Sequence, residues 1–260
     1  MKENQQPITG LGAGEVAPYV FLCGDPGRIP KVSEQWDKSK EVCNVREYVV
    51  HTGEKDGLAL SAASTGIGAP STAIALEELA KLGAHTFIRI GNSGALADKV
   101  QLGDYVITTA SVRDEGTTPS YVPRRYPAVA NFEVLEALVA AAREAEHTFH
   151  TGITWSIDAF YARNKVLGKD GELLSMSVDG YQTAGMNEQV LDFKRAGVLN
   201  VEMESSTILT LASLFGLRAG CICTVSDRTP WPGPEELDLD NNIRGAIAIA
   251  IEAVKRLAAG

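Results

Sequence analysis

The chain is short of positive charge, with 24 lysines and arginines against 33 aspartates and glutamates and a formal net charge of −9 at pH 7. That balance argues against a nucleic-acid partner or an anionic membrane surface. No apolar run approaches the roughly 20 residues of a bilayer-spanning helix, so no membrane partner is expected. The polar start, Met1 to Gln6, does not have the layout of a secretory signal, and a cytoplasmic location is expected. Cysteine is scarce: Cys23, Cys43, Cys221 and Cys223 all sit in or beside apolar runs. Cys221-Ile222-Cys223 points two thiols to one strand face, the wrong spacing for a zinc knuckle, so buried reduced thiols are expected. No Gly-x-Gly-x-x-Gly follows the first strand, which removes a dinucleotide fold. No repeat, low-complexity tract or linker interrupts residues 1–260, which are expected to form one domain.

What is present is ordinary globular material, 45% apolar and 22% charged. Runs rich in Val, Ile, Thr and aromatics predict strands at 20–24, 58–63, 86–91, 104–112, 150–157 and 218–226. Helical patterns lie over Thr72–Leu82 and Phe132–Ala145. The last is clearest: Ile243, Ala246, Ile247, Ala250, Ile251, Val254 and Leu257 form one stripe, with Asp240-Asn241 offered as caps. Alternating strands and helices imply a mostly parallel or mixed sheet covered on both faces. The irregular stretches 113–131, 158–185 and Thr229–Pro234 are long enough to serve as binding loops or lids.

Gly24-Asp25-Pro26-Gly27-Arg28 follows Val20-Phe21-Leu22-Cys23 and reads as a glycine-rich turn ending a buried strand. Glycine lets backbone N–H groups approach an anion, and arginine offers a fork of donors suited to phosphate. Such a turn is as readily only a turn. A second element, Arg89-Ile90-Gly91-Asn92-Ser93-Gly94, ends another apolar run. Two turns at the carboxyl ends of parallel strands converge on the crevice where open α/β sheets bind ligands.

With Ser64-Thr65-Gly66-Ile67-Gly68, Asp158-Ala159-Phe160-Tyr161 and Val201-Glu202-Met203-Glu204-Ser205, these elements occur in the order typical of the nucleoside phosphorylase-I family, which the chain resembles over nearly its whole length. Thr109–Arg113 and Gly66–Thr72 are especially similar to its uridine phosphorylase branch. The resemblance implies a single-domain three-layer α/β/α fold with a mixed, distorted barrel-like central sheet. It implies a dimer-based homo-oligomer, usually a hexamer, that cleaves a nucleoside with inorganic phosphate to free base and (deoxy)ribose 1-phosphate, with no further cofactor required. Gly24, Arg28, Arg89 and Arg46 match phosphate ligands, Arg46 being lent by a neighbouring subunit. Glu204 matches the carboxylate that accepts from the ribose hydroxyls, Glu202 and Met203 are expected to bind substrate beside it with Met203 packed on the sugar, and Phe160 matches the aromatic that stacks on the base. Glu47, Ile67 and Ser71 match a potassium site between subunits, although these residues equally suit a plain dimer contact.

The chain departs from the family pattern in several places. The N-terminal histidine that reaches the ribose 5′-hydroxyl has no counterpart in Pro7-Ile8-Thr9-Gly10. Asn92 stands where Thr or Ser usually donates to phosphate. The Gln-x-Arg pair that reads uracil aligns with Asn164, Lys165 and Val166, and Arg163 could replace its arginine only after a loop shift. Asp227, ahead of Arg228, stands where the purine branch keeps a leaving-group acid and the uridine branch has Asn-Arg, unless it is a turn residue. The readings are a phosphorylase, uridine-type first and purine-type next; a nucleosidase, which would have lost the arginines; and a silent nucleoside-binding relative.

Overall fold

A computed structural model describes residues 5–231 and 242–259. In chain order the elements are β1 (Tyr19–Cys23), α1 (Arg28–Ser33), β2 (Lys38–Val45), β3 (Tyr48–Lys55), β4 (Leu58–Ser64), α2 (Ala69–Lys81), β5 (Thr86–Ala95) and β6 (Tyr105–Asp114). There follow β7 (Ala128–Val129), α3 (Phe132–Glu144), β8 (Phe149–Ile157), α4 (Phe160–Arg163), β9 (Lys165–Leu167), β10 (Leu173–Ser175) and α5 (Met186–Arg195). The chain ends with β11 (Asn200–Glu202), α6 (Ser205–Leu214), β12 (Arg218–Arg228) and α7 (Ile243–Ala259).

A 10-stranded sheet has the order β11-β8-β6-β12-β5-β1-β4-β3-β2, with β7 beside β6. Because β11 also pairs with β5, the strands β11, β8, β6, β12 and β5 close on themselves. This closure is the barrel-like distortion of the mixed sheet that the family resemblance implies.

The layers follow from alternation along the strands. On β1, Phe21 and Cys23 face one core with Ile29, Val32, Val134, Leu138 and the stripe of α7. Val20 and Leu22 face the other, with Leu76, Leu79, Ile208 and Leu211 from α2 and α6. Burial of Ile243, Ala246, Ile247, Ala250, Ile251 and Val254 matches the periodicity of the last helix. Its expected caps, Asp240 and Asn241, lie outside the described residues, as does the end of the Thr229–Pro234 stretch. All four cysteines are buried and free, Cys221 and Cys223 placing sulfurs 3.7 Å apart on one strand face. Burial pushes the Cys23 thiol up to about 11.

Three expectations need correction. Arg89–Gly94 is not a turn: β5 runs through Ala95, held between β1 and β12 and then between β11 and β12. The β2–β3 hairpin was not expected, because β2 (KSKEVCNV) is a largely exposed edge strand with no apolar alternation to betray it. The stretch 158–185 is not wholly irregular, since it holds α4 and the small antiparallel β9–β10 pair.

Candidate active site

Strand β1 ends in the Gly24–Gly27 turn, where Asp25 accepts a 2.8 Å hydrogen bond from Gly27 N–H and Arg28 opens α1. Next to it, the middle of β5 presents Arg89 into the mouth of a cleft of about 1330 Å³. Across the barrel seam, β11 delivers Glu202, and the residue before α6 is Glu204. Both carboxylates reach Arg89: Nε lies 2.8 Å from Glu202 Oε2 and Nη2 lies 2.6 Å from Glu204 Oε2. The side chains of all three are at most 5% exposed.

Buried charges are stable only when paired and saturated with hydrogen bonds, and these are. Glu202 also accepts from the backbone N–H groups of Glu204 and Ser205 and from Ser205 Oγ at 2.5 Å. Its carboxylate therefore completes the first turn of α6, where orphan N–H groups and the helix dipole favour negative charge. Glu204 differs: beyond Arg89 it takes one 2.6 Å bond, from Gly68 N–H. Gly68 has φ 96, a left-handed value that lets its N–H turn toward this carboxylate at the start of α2. Burial raises the Glu204 pKa, against the pull of Arg89 and with a further push from Glu202. Burial works against the Arg89 charge too, but Glu204 and then Glu202 overcome it and hold the guanidinium well above its ordinary pKa.

The far end of the cleft is aromatic. Phe160 opens α4 and is 37% exposed. It meets Tyr161 edge-on at 5.2 Å and Trp231 at 6.2 Å. Asn164 is buried and accepts from Thr229 Oγ1 at 3.1 Å. Asp227 sits where β12 shifts register against β5, and such a bulge re-aims a side chain. Its Oδ1 accepts from Ser226 Oγ at 2.8 Å and its Oδ2 from Trp231 Nε1 at 2.7 Å. Burial raises the Asp227 pKa against both hydrogen bonds.

Gly24, Arg28, Arg89, Asn92, Phe160, Asn164, Glu202, Met203, Glu204 and Asp227 thus line one cleft. Arg228 does not: its Nη2 donates to Gln101 Oε1 at 2.8 Å, because successive strand residues face opposite ways. Arg46 is exposed on the β2–β3 turn with φ 56 and does not line the cleft of its own chain. Arg163 is drawn away from the cleft, bonded to Gln189 and Met186 Sδ, 3.3 Å from Asp114 Oδ2 and lying over the Trp155 ring. Glu47 and Ser71 meet around Gly66, where an added Cβ would stand 2.9 Å from Glu47 Cγ and 3.3 Å from Ser71 Oγ. Ser71 Oγ is also 3.5 Å from the Ile67 carbonyl. Among the described residues there is no cluster of three or more His, Cys, Asp or Glu fit for a metal, and no helix long and apolar enough to cross a membrane.

The residues overlooked were Lys31, which lines the cleft one turn beyond Arg28, and Trp231. A tryptophan in a proline-rich loop already suspected of binding was the available signal for the second.

The phosphorylase superfamily model matches residues 18–259. The chain belongs to the phosphorylase superfamily. It is 48% identical to the uridine phosphorylase of Thermococcus kodakarensis, over 86% of this chain and 78% of that one. It is 38% identical to the Escherichia coli uridine phosphorylase over 93% and 92%. A guanosine phosphorylase from Halorubrum lacusprofundi is 35% identical over 97% and 99%. This superfamily member therefore has long likenesses to relatives named for a pyrimidine nucleoside and for a purine nucleoside.

Proposed function

We propose that this chain is a nucleoside phosphorylase, a pentosyltransferase acting first on uridine-type nucleosides. The observation that carries the reading is Arg89 gripped by Glu202 and Glu204 in the cleft that Arg28 also lines. In this reading Arg28, Arg89 and the Gly24 backbone hold phosphate below the sugar, with Asn92 adding an amide. Arg46 joins them from a neighbouring copy in a dimer-based assembly. Glu204, which among the described residues takes one further hydrogen bond beside Arg89, accepts from the ribose hydroxyls, and Met203 packs on the sugar. Glu202 holds Arg89 in place from the lining of the same cleft and offers the substrate a second carboxylate.

A phosphate oxygen bonds to C1′ as the C1′–N bond breaks, and the electron pair leaves with the base, stacked on Phe160. Placing the two reactants by fixed charges supplies both proximity and electrostatic stabilisation. Glu47, the Ile67 carbonyl and Ser71 offer oxygen donors that fit a potassium ion, which would neutralise Glu47 at a subunit contact.

A second reading, purine phosphorolysis, is favoured by one observation: Asp227 is buried in the base end with a raised pKa while Arg163 is committed elsewhere. The test is a panel of uridine, inosine, guanosine and adenosine, each with and without phosphate, scored for free base and pentose 1-phosphate. Phosphate-dependent release of base is expected. Release without phosphate would make the protein a nucleosidase, and no release from any nucleoside would make it a silent relative.

A further inference from the structure

Asp227 is held by two donors of different kinds. The Ser226 hydroxyl can rotate and either donate or accept, whereas an indole N–H only donates. Oδ2, 2.7 Å from Trp231 Nε1, therefore stays an acceptor, and a proton on the acid favours Oδ1, from which the Ser226 hydroxyl can rotate away. Backbone geometry reserves this corner: a Cβ on Gly94 would stand 2.7 Å from Asp227 Oδ2 and 3.0 Å from Thr229 Oγ1.

The indole is itself fixed. The Trp231 backbone N–H donates to the Lys165 carbonyl at 2.6 Å, its carbonyl accepts from Leu167 N–H at 2.9 Å, and its ring meets Phe160 edge-on. One residue thus joins the buried acid and the stacking ring through its side chain and the strand that follows Asn164 through its backbone. The charged groups lining the same cleft are Asp25, Arg28, Lys31, Arg89, Glu202 and Glu204. None of these bonds to Asp227, whose hydrogen bonds among the described residues come from Ser226 and Trp231.

We infer that Trp231 is a positioning residue that aims Asp227 at the leaving base and so raises turnover of bicyclic purines relative to uracil, as a second activity beside the uridine-type one. The inference rests on the phosphorylase reading and deepens it. As phosphate bonds to C1′ and the C1′–N9 bond breaks, the electron pair stays on the purine. The proton on Asp227 Oδ1 passes to N7, and the carboxylate left behind is received by the two donors until solvent reprotonates it. Uracil has no ring nitrogen in that place to take the proton.

The test compares Trp231→Phe, which keeps a ring and removes the N–H, with Trp231→Ala, using guanosine and uridine with phosphate across pH. Trp231→Phe is expected to lower kcat for guanosine roughly tenfold, the worth of one charge-assisted hydrogen bond. KM should hardly move. Loss of a donor to the ionised form should carry the alkaline limb of the guanosine profile to higher pH, and uridine turnover should change less than about twofold. Trp231→Ala should add a rise in KM. In an Asp227→Asn background, Trp231→Phe should have no further effect on kcat.

Equal losses on both nucleosides without a shift of the limb, or wild-type behaviour of Trp231→Phe, would overturn the inference. Calorimetric binding of guanine and uracil keeps the two readings apart. Even if no nucleoside were cleaved, the ratio of guanine to uracil affinity should fall in Trp231→Phe relative to the wild-type protein. A protein that cleaves nucleosides but whose affinity ratio is unchanged by Trp231→Phe would sink the role of Trp231 alone.

Discussion

The two ends of the cleft are built on opposite principles. At the Arg89 end, three charged side chains are buried together and satisfied by one another and by helix-start N–H groups. At the Phe160 end, aromatic rings meet edge-on beside a single carboxyl group, and Phe160 remains 37% exposed. A mutual charge lock leaves little room for variation, because removing one partner strands another in low dielectric. An aromatic corner tolerates change, because stacking accepts many flat rings. This difference suits a fold whose relatives share phosphate chemistry and are named for different bases.

Arg89→Ala strikes the lock and is expected to have the largest effect. Phosphate-dependent turnover should vanish, and two buried carboxylates without a cation should cost about 3–5 kcal/mol of stability. Thermal melts measure the second loss, and adding Glu204→Gln should recover part of the stability and none of the turnover. Near-normal phosphorolysis by Arg89→Ala would erase the contrast between the two ends.

Phe160→Ala strikes the corner and should act more gently. Losing the stack raises KM by several-fold, or about 0.5–1.5 kcal/mol, with kcat nearly unchanged. A collapse of kcat would mean that the Phe160 end is as tightly determined as the Arg89 end.

The smallest effect expected is on stability against pH. Asp227 has a raised pKa in the folded protein, so its favourable contribution belongs to low pH and is lost as pH rises through the folded value. Asp227→Asn does not titrate. The melting temperature of the variant minus that of the wild type should therefore grow from acid to neutral pH, and a flat difference would show that the carboxyl is not penalised by burial.

How much of this was legible before folding depended on the kind of signal. The α7 stripe and the β1 run were readable because burial imposes periodicity on sequence. Arg28, Arg89 and Glu204 were readable as chemistry through the family resemblance. Their burial was only partly foreseen, because two acidic residues at a helix start usually face water. Edge strand β2 escaped because it is largely exposed and shows no apolar alternation, and α5 because its short apolar face fully buries Val190 alone. The outward turn of Arg228 follows from strand alternation once β12 is known to extend that far. The bond between Trp231 and Asp227 could not be read at all, since it depends on a register shift in β12.

The three-residue strand β11 bonds to both β8 and β5 and ends at Glu202. The hoop of strands is thus closed by Asn200 and Val201, immediately ahead of the carboxylate that clasps Arg89. Catalytic competence and circumferential integrity should arrive together in folding and fail together under stress, so loss of amide-exchange protection at Asn200–Glu202 ought to track inactivation.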